Sequence, residues 1–177
     1  MVGTEYREAQ PMLSLPEALK ESTGNVFRFT GRARRSEYWW TMLVVCLAEL
    51  ILNFCGILSV LNIFLSLAVI PLTFRRLHDT GRSGWWWGVG AIMKGVFIVV
   101  LLVKVMKVAL GSYNDEPDDF DETSVFAMIG EYLIYALIIC LYHLVLLIFL
   151  CLDGSREENR YGASPKYEGG EETFDKE

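Results

Sequence analysis

Long apolar runs separated by short polar segments are the dominant pattern in this chain of 177 residues. Residues 38–74 stay apolar for longer than one bilayer crossing requires, since about 20 helical residues span a core of roughly 30 Å. The best turn within this run lies at residues 53–56, so the run is predicted to form two short spans. Two more apolar runs follow the polar segment at 75–84. The pattern therefore predicts four transmembrane helices, at about residues 38–54, 57–74, 85–110 and 125–152.

A short amphipathic helix is predicted ahead of the first span. Ser14 and Glu17 have the spacing of a capping box, and Pro16 falls in the first helical turn. The helix is expected to run from about Leu15 to Glu21 with its apolar side chains on one face, so it can lie flat on the membrane. The predicted fold class is all-α, an integral membrane four-helix transmembrane bundle with a short N-terminal interfacial helix.

The predicted organisation has four parts. Residues 1–13 form a flexible N-terminus, and residues 14–37 hold the interfacial helix and an arginine-rich segment. Residues 38–152 form the four-span domain, and residues 153–177 form a disordered acidic tail.

Composition agrees with a membrane location. With 53% hydrophobic residues and a mean hydropathy of +0.32, the chain is too apolar for an ordinary soluble domain. The net charge of -6 is unevenly distributed, because residues 115–122 supply six acids and no base and the tail from Asp153 has eight acids and four bases. The local charge of each membrane face of the protein, and not the net charge, therefore decides which partners that face can bind.

The arginines predict the orientation of the chain. Four spans place both termini and the central loop on one side, and the positive-inside rule makes that side cytoplasmic. Lys104 and Lys107 lie on the other side but are outnumbered. No apolar signal segment is seen in the first 37 residues, which favours a cytoplasmic N-terminus. Seven arginines of the cytoplasmic side are Arg28, Arg32, Arg34, Arg35, Arg75, Arg76 and Arg82, and Arg156 and Arg160 follow the last span.

The cysteines give no indication of a metal site or disulfide. Cys46, Cys55, Cys140 and Cys151 all lie inside apolar stretches, with no C-x-x-C pair and no histidine at metal-ligand spacing. They are expected to be small core or lipid-facing side chains, and no metal or other cofactor is predicted.

Three motifs carry a resemblance to a known family. They are F-x-GRARRSEYWW before the first span, RRLHDTGRSGWW between the second and third, and N-R-Y-G-x-x-P in the tail. Together they resemble the YhaH and YhaI group of small bacterial inner-membrane proteins, a family defined by a domain of unknown function. The resemblance covers residues 13–165. It implies four transmembrane helices in a bacterial inner membrane and implies no activity.

The central loop contains the pair His78-Asp79, which has two interpretations. An adjacent carboxylate can orient an imidazole, as in acid–base pairs and metal sites, and this would suit an enzyme acting on lipid headgroups. Alternatively, both side chains bond the neighbouring arginines and the loop backbone and fix a rigid turn. No third ligand or nucleophile is evident nearby, so the structural interpretation is favoured and no catalytic residue is assigned.

The arginine clusters also have two interpretations. Guanidinium groups match phosphate oxygens, so the clusters suit anionic lipid headgroups or a partner protein. Topology anchoring alone explains them equally well. Nucleic acid is set aside, since the basic residues adjoin the membrane and are not interleaved with exposed aromatic residues. The predicted headgroup- or partner-binding residues are Arg32, Arg35, Arg75, Arg76, His78, Asp79 and Arg82.

Glu49, Lys94 and His143 form the third candidate set, because each is placed near the bilayer centre. An unpaired ionisable group there costs at least about 2.5–3.5 kcal/mol. We therefore predict that Glu49 and Lys94 pair inside the bundle with His143 nearby. A structural clamp is favoured over a proton or ion relay, since four short helices leave little room for a conduit without oligomerisation.

Three function hypotheses follow. The leading one is a non-enzymatic inner-membrane protein whose arginine-rich cytoplasmic face binds anionic lipid headgroups or a partner protein. The first alternative is a small oligomeric transporter or channel that uses Glu49, Lys94 and His143. The second is a headgroup-directed enzyme that uses His78 and Asp79. Expected partners are anionic membrane lipids, further copies of the chain or another membrane protein.

Overall fold

The computed structural model describes residues 9–54, 56–114 and 122–167, and within these ranges it is all-helical, with no β-strand. A short 3₁₀ helix, Gly56–Val60, follows the second α-helix. The α-helices are α1 (Leu15–Gly24), α2 (Arg35–Phe54), α3 (Leu61–Asp79), α4 (Trp85–Asn114) and α5 (Glu122–Cys151). The all-α prediction is confirmed for these ranges.

Among the described residues, three helical segments are long and apolar enough to cross a membrane. They are Arg35–Phe54, Trp85–Lys107 and Ile129–Cys151. The segment predicted as the second span, 57–74, corresponds to the 3₁₀ helix and the first part of α3. Because the last turn of α3 carries charged side chains, the whole helix is less apolar than the other three. The structure thus supports three of the four predicted spans by length and composition.

Helix α1 begins at the predicted capping box. The Ser14 backbone N–H donates to Glu17 Oε2 at 2.8 Å, and the Ser14 hydroxyl donates to the same oxygen at 2.7 Å. The helix packs on α2 through a buried hydroxyl pair, with Ser22 Oγ 2.6 Å from Thr41 Oγ1. Ala18 is fully buried in the same contact face. These contacts fix α1 beside the first turns of α2.

The turn between α2 and α3 lies where it was predicted. Gly56 has φ +54, a left-handed conformation that favours glycine. Below the turn, Asn62 Nδ2 donates to Asn53 Oδ1 at 3.1 Å, and one helical turn further on Ser66 Oγ donates to Glu49 Oε1 at 2.8 Å. Polar side chains of the two helices therefore form hydrogen bonds with each other along the hairpin.

The chain divides into two compact units. The first comprises Met1–Trp85 and Phe149–Glu177, and the second is Trp86–Ile148. In the second unit, α4 and α5 are joined by an ion pair between Lys104 and Glu131. The predicted acidic loop at 115–121 lies outside the described residues.

The first part of the tail differs from the expected disorder. Asn159 and Gly162 exchange backbone hydrogen bonds of 3.2 and 2.9 Å in a tight turn, and Tyr167 is buried. The Gln10 N–H donates to the Lys166 carbonyl at 2.9 Å, so the end of the expected flexible N-terminus also has a fixed partner. Residues 1–8 and 168–177 lie outside the described residues. Backbone hydrogen bonds fix this part of the tail. The acidic composition of the tail does not indicate such bonds.

Candidate functional site

Asp79, Arg32 and Arg76 form a buried cluster at the end of α3, here called the Asp79 network. Asp79 Oδ1 accepts from Arg32 Nε at 2.9 Å, and Oδ2 accepts from Arg76 Nη1 at 2.5 Å. Arg76 is fully buried and Asp79 nearly so. Burial raises the pKa of Asp79 and lowers that of Arg76, and in each case the charge of the partner opposes the shift. The carboxylate thus holds two guanidinium groups together in the protein interior.

Arg76 caps the end of α5. Its Nε donates to the Leu150 carbonyl at 3.1 Å and its Nη2 donates to the Leu152 carbonyl. The last carbonyls of a helix have no partner within the helix and carry partial negative charge, so a cation is favourable there. One side chain of α3 therefore fixes the C-terminus of α5.

Arg32 binds the tail beyond α5. Its Nη2 donates to the Ser155 carbonyl at 2.5 Å, and its Nη1 donates to the carbonyls of Glu157 and Gly162 at 3.0 and 3.2 Å. With these bonds and the ion pair to Asp79, Arg32 is almost completely enclosed. Arg32, in the segment before α2, therefore links that segment to the end of α3 and to the tail.

His78 has a structural role, because its imidazole contacts the backbone at Gly31 and the Tyr161 ring. Its Nδ1 lies 3.1 Å from the Gly31 carbonyl, which can only accept, so Nδ1 carries the proton. The imidazole stacks on the Tyr161 ring at 3.8 Å, and the His78 carbonyl accepts from Asn159 Nδ2 at 3.0 Å. Burial lowers the pKa of His78, which favours the neutral ring. His78 thus bonds the backbone and Asn159 around it, and Asp79 bonds Arg32 and Arg76.

Arg75 pairs with the first turn of α2. Its Nη2 lies 2.9 Å from Glu37 Oε1, and both side chains are almost completely buried. The Arg75 carbonyl also accepts from the Ala33 N–H at 3.0 Å. The sequence analysis did not anticipate this pair. The only available signal was an acid at the start of one helix and an arginine at the end of the next.

Arg35 and Arg82 lie nearer the surface. The Arg82 guanidinium stands over the Phe149 ring at 3.8 Å, a cation–π contact. The Arg35 side chain is 51% exposed, with its Nε 3.7 Å from Asp153 Oδ1 and its Nη1 3.3 Å from the Cys151 carbonyl. Of the predicted set, Arg35 is therefore the arginine most open to an external ligand.

An apolar groove of about 690 Å³ begins beside Arg35 and is called here the Arg35 groove. Its walls combine aromatic, aliphatic and sulfur-containing side chains, all from the first unit. The residues that line it include Arg35, Trp39, Met42, Leu43, Cys46 and Cys151. Since Arg35 opens α2 and Trp39, Met42, Leu43 and Cys46 lie further along that helix, the groove has a charged end and an apolar length.

The three ionisable residues that were predicted to lie within the membrane are divided between the units. Lys94 and His143 line a common cavity of about 460 Å³ in the second unit, and His143 Nδ1 donates to the Ile139 carbonyl at 2.8 Å. Glu49 belongs to the first unit, where Ser66 is its partner. The pairing of Glu49 with Lys94 stays a prediction. In the part of the chain that the structure describes, no three His, Cys, Asp or Glu side chains are grouped as metal ligands.

Comparison with known proteins gives one family and related chains. Residues 26–163 match the family model described as a protein of unknown function, DUF805. The inner membrane protein YhaI of Escherichia coli strain K12 is 31% identical over 152 residues, which are 81% of this chain and 90% of that protein. The inner membrane protein YhaH of the same strain is 39% identical over 75 residues, which are 35% of this chain and 62% of that protein. No solved structure matches.

Proposed function

Because the chain belongs to the DUF805 family of membrane proteins, we propose that it is a non-enzymatic inner-membrane protein that binds anionic phospholipid at the Arg35 groove. The family membership confirms the resemblance to the YhaH and YhaI group. Both of those relatives are named as inner membrane proteins, which supports an inner-membrane location. The groove, with its single charged end, is the observation that carries the binding proposal.

The shape and chemistry of the groove match an amphiphile. Trp39 lies at the start of the span, and Met42, Leu43 and Cys46 continue along α2 into the apolar region. An acyl chain lying there covers apolar surface, while the phosphate lies beside the Arg35 guanidinium. A neutral headgroup gains the apolar contact but not the charge interaction, so the site favours anionic lipids.

The other arginines of the predicted set have partners within the chain and are less exposed than Arg35. Arg32 and Arg76 are committed to Asp79 and to backbone carbonyls, and Arg75 faces Glu37. Asp153 is the acid near Arg35, and at 3.7 Å on an exposed surface the contact is long for an ion pair. Asp153 also pairs with Lys166, at 2.5 Å. Such exposed pairs contribute little free energy. A phosphate can therefore replace Asp153 at Arg35 without leaving that carboxylate unpaired.

Replacing Arg35 with glutamine is expected to weaken binding to phosphatidylglycerol vesicles by about tenfold, because one charge-assisted hydrogen bond is lost. Binding to phosphatidylcholine vesicles should not change. Arg34→Gln is the matched control, since Arg34 bonds the Gln10 and Pro11 carbonyls and does not itself line the groove. Vesicle flotation of the purified protein measures both. Equal loss in the two variants would contradict the proposal.

The proposed topology has four spans with both termini in the cytoplasm. Helix α3 is the additional span, and its charged last turn, with Arg75 and Arg76, reaches the cytoplasmic surface. A reporter that is active only in the cytoplasm is expected to be active when fused to either end of the chain. A reporter that is active only outside the cytoplasm is expected to be inactive at both ends. Activity of the two fusions in different compartments would indicate an odd number of spans and contradict this topology.

One observation favours the alternative of a small oligomeric transporter or channel. Lys94 and His143 line the same cavity, and ionisable groups within a membrane often mark ion or proton pathways. Proteoliposomes distinguish the two functions. Proton or solute flux that Glu49→Gln abolishes in a folded protein would favour transport over lipid binding.

A further inference from the structure

A second cavity, polar and separate from the Arg35 groove, lies beside the Asp79 network. Its volume is about 250 Å³, and the end of α1, the segment before α2, α3 and the tail all contribute to it. The lining residues that matter here are Arg28, Arg75, Thr30, Tyr161, Glu21 and Asn25. All belong to the first unit. It is called the Arg75 cavity below.

Arg75 is one of the residues that line this cavity. The side chain is almost completely buried, and its Nε has no hydrogen-bond acceptor among the residues that the structure describes. Glu37 lies beside the other end of the guanidinium, at Nη2. A buried guanidinium N–H without an acceptor is costly, and native proteins rarely leave one unpaired. The arrangement therefore calls for an acceptor from outside the chain.

Arg28 supplies a second guanidinium group to the same cavity. Its Nη2 lies 3.5 Å from the position that a Cβ would take on Gly31, so the side chain folds back over this glycine. Gly31 has φ +86, which turns the backbone sharply at the cavity wall. Within the described ranges, no carboxylate pairs with Arg28. An exposed guanidinium and a buried one thus belong to residues that line the same small polar cavity.

We propose that the Arg75 cavity binds a phosphate group, held between the guanidinium groups of Arg28 and Arg75. Phosphate oxygens accept several hydrogen bonds at once and match guanidinium geometry. Thr30 and Tyr161 add hydroxyl groups to the lining. Glu21 also lines the cavity, where its carboxylate accepts from Asn25 Nδ2 at 3.2 Å. This acid repels the phosphate and places it toward Arg75.

The test is equilibrium dialysis of the purified full chain in detergent against radiolabelled inorganic phosphate at constant ionic strength. Wild type is expected to bind phosphate saturably, and Arg28→Gln to bind about tenfold more weakly. Because Arg28 is exposed, this variant should still fold. Glu21→Gln is expected to bind phosphate more tightly, since it removes a repulsive charge. Arg156→Gln is the control, because Arg156 lies over Tyr167 outside the cavity.

Two further arms identify the source of the phosphate group. Phosphatidylglycerol added to the micelles displaces the labelled phosphate if the natural ligand is a lipid headgroup, and leaves it bound if the ligand is a soluble phosphate. Arg35→Gln should retain phosphate binding, so failure of the Arg35 groove proposal is distinguishable from failure here. Absence of saturable binding, or equal binding by wild type and Arg28→Gln, would overturn the phosphate site.

Discussion

Replacing Asp79 with alanine is expected to lower the free energy of unfolding by about 3–5 kcal/mol, because breaking a buried ion pair leaves an uncompensated charge. Here two guanidinium groups, from Arg32 and Arg76, lose the same carboxylate in the protein interior. Their carbonyl acceptors in α5 and the tail are neutral and do not replace the lost charge. The measurement is unfolding of the purified protein in one detergent.

Asp153→Ala is the matched control for this prediction. Asp153 also contacts two cations, Arg35 and Lys166, but its side chain is 45% exposed. Exposed pairs contribute about 0–1 kcal/mol, so the control should remain close to wild type. If both alanine variants lost the same stability, the Asp79 network would not be the buried anchor described here.

Replacing Gly154 with alanine is expected to cost about 1–3 kcal/mol, the usual range for overpacking. A Cβ at this position overlaps the Asp79 carboxylate. The carboxylate has no free direction to move, since Arg32 Nε and Arg76 Nη1 hold its two oxygens. The tail must therefore shift away from α3. Unfolding measurements give the loss in free energy of unfolding. Trypsin digestion reports the displacement of the tail, because cleavage after the exposed Arg156 and Arg160 should become faster.

Gly130→Ala is the control for the added methyl group. Gly130 lies within α5, and a Cβ there meets no atom within 4 Å. Alanine also has the higher helix propensity, by about 1 kcal/mol at most. The free energy of unfolding of the control should therefore equal that of wild type or exceed it slightly, and its rate of trypsin cleavage should be unchanged. Unaltered cleavage in Gly154→Ala would show that the tail is not fixed through Asp79.

The helices were predictable because their signals are local. Apolar runs set the lengths of α2, α4 and α5, and the boundaries differ from prediction by only a few residues. The start of α1 follows from two side chains three residues apart, Ser14 and Glu17, which satisfy free backbone groups without help from the rest of the chain. Each feature depends on neighbours in the sequence.

The Asp79 network was only partly predictable. The pairing of Asp79 with nearby arginines follows from composition, whereas the binding of Arg32 to the tail does not. The acceptors are backbone carbonyls at Ser155, Glu157 and Gly162, more than 120 residues further along the chain. Every residue has such a carbonyl, so no side-chain pattern marks these three.

The tail did carry one signal that sequence analysis used only for the family resemblance. In the N-R-Y-G-x-x-P motif, Gly162 has φ +118 and closes the turn with Asn159, and Tyr161 stacks on His78. An asparagine and a glycine three residues apart are residue types that favour a defined turn. That signal favours order over residues 159–162, against the acidic composition that led to the expectation of disorder.

Native mass spectrometry of the protein purified from bacterial membranes tests the lipid-binding account most directly. Wild type and Arg34→Gln are expected to carry bound anionic phospholipid, and Arg35→Gln is expected to lose it while remaining folded. The same anionic lipid bound to all three proteins, or no anionic lipid bound to wild type, would contradict the assignment of the Arg35 groove as a phospholipid site.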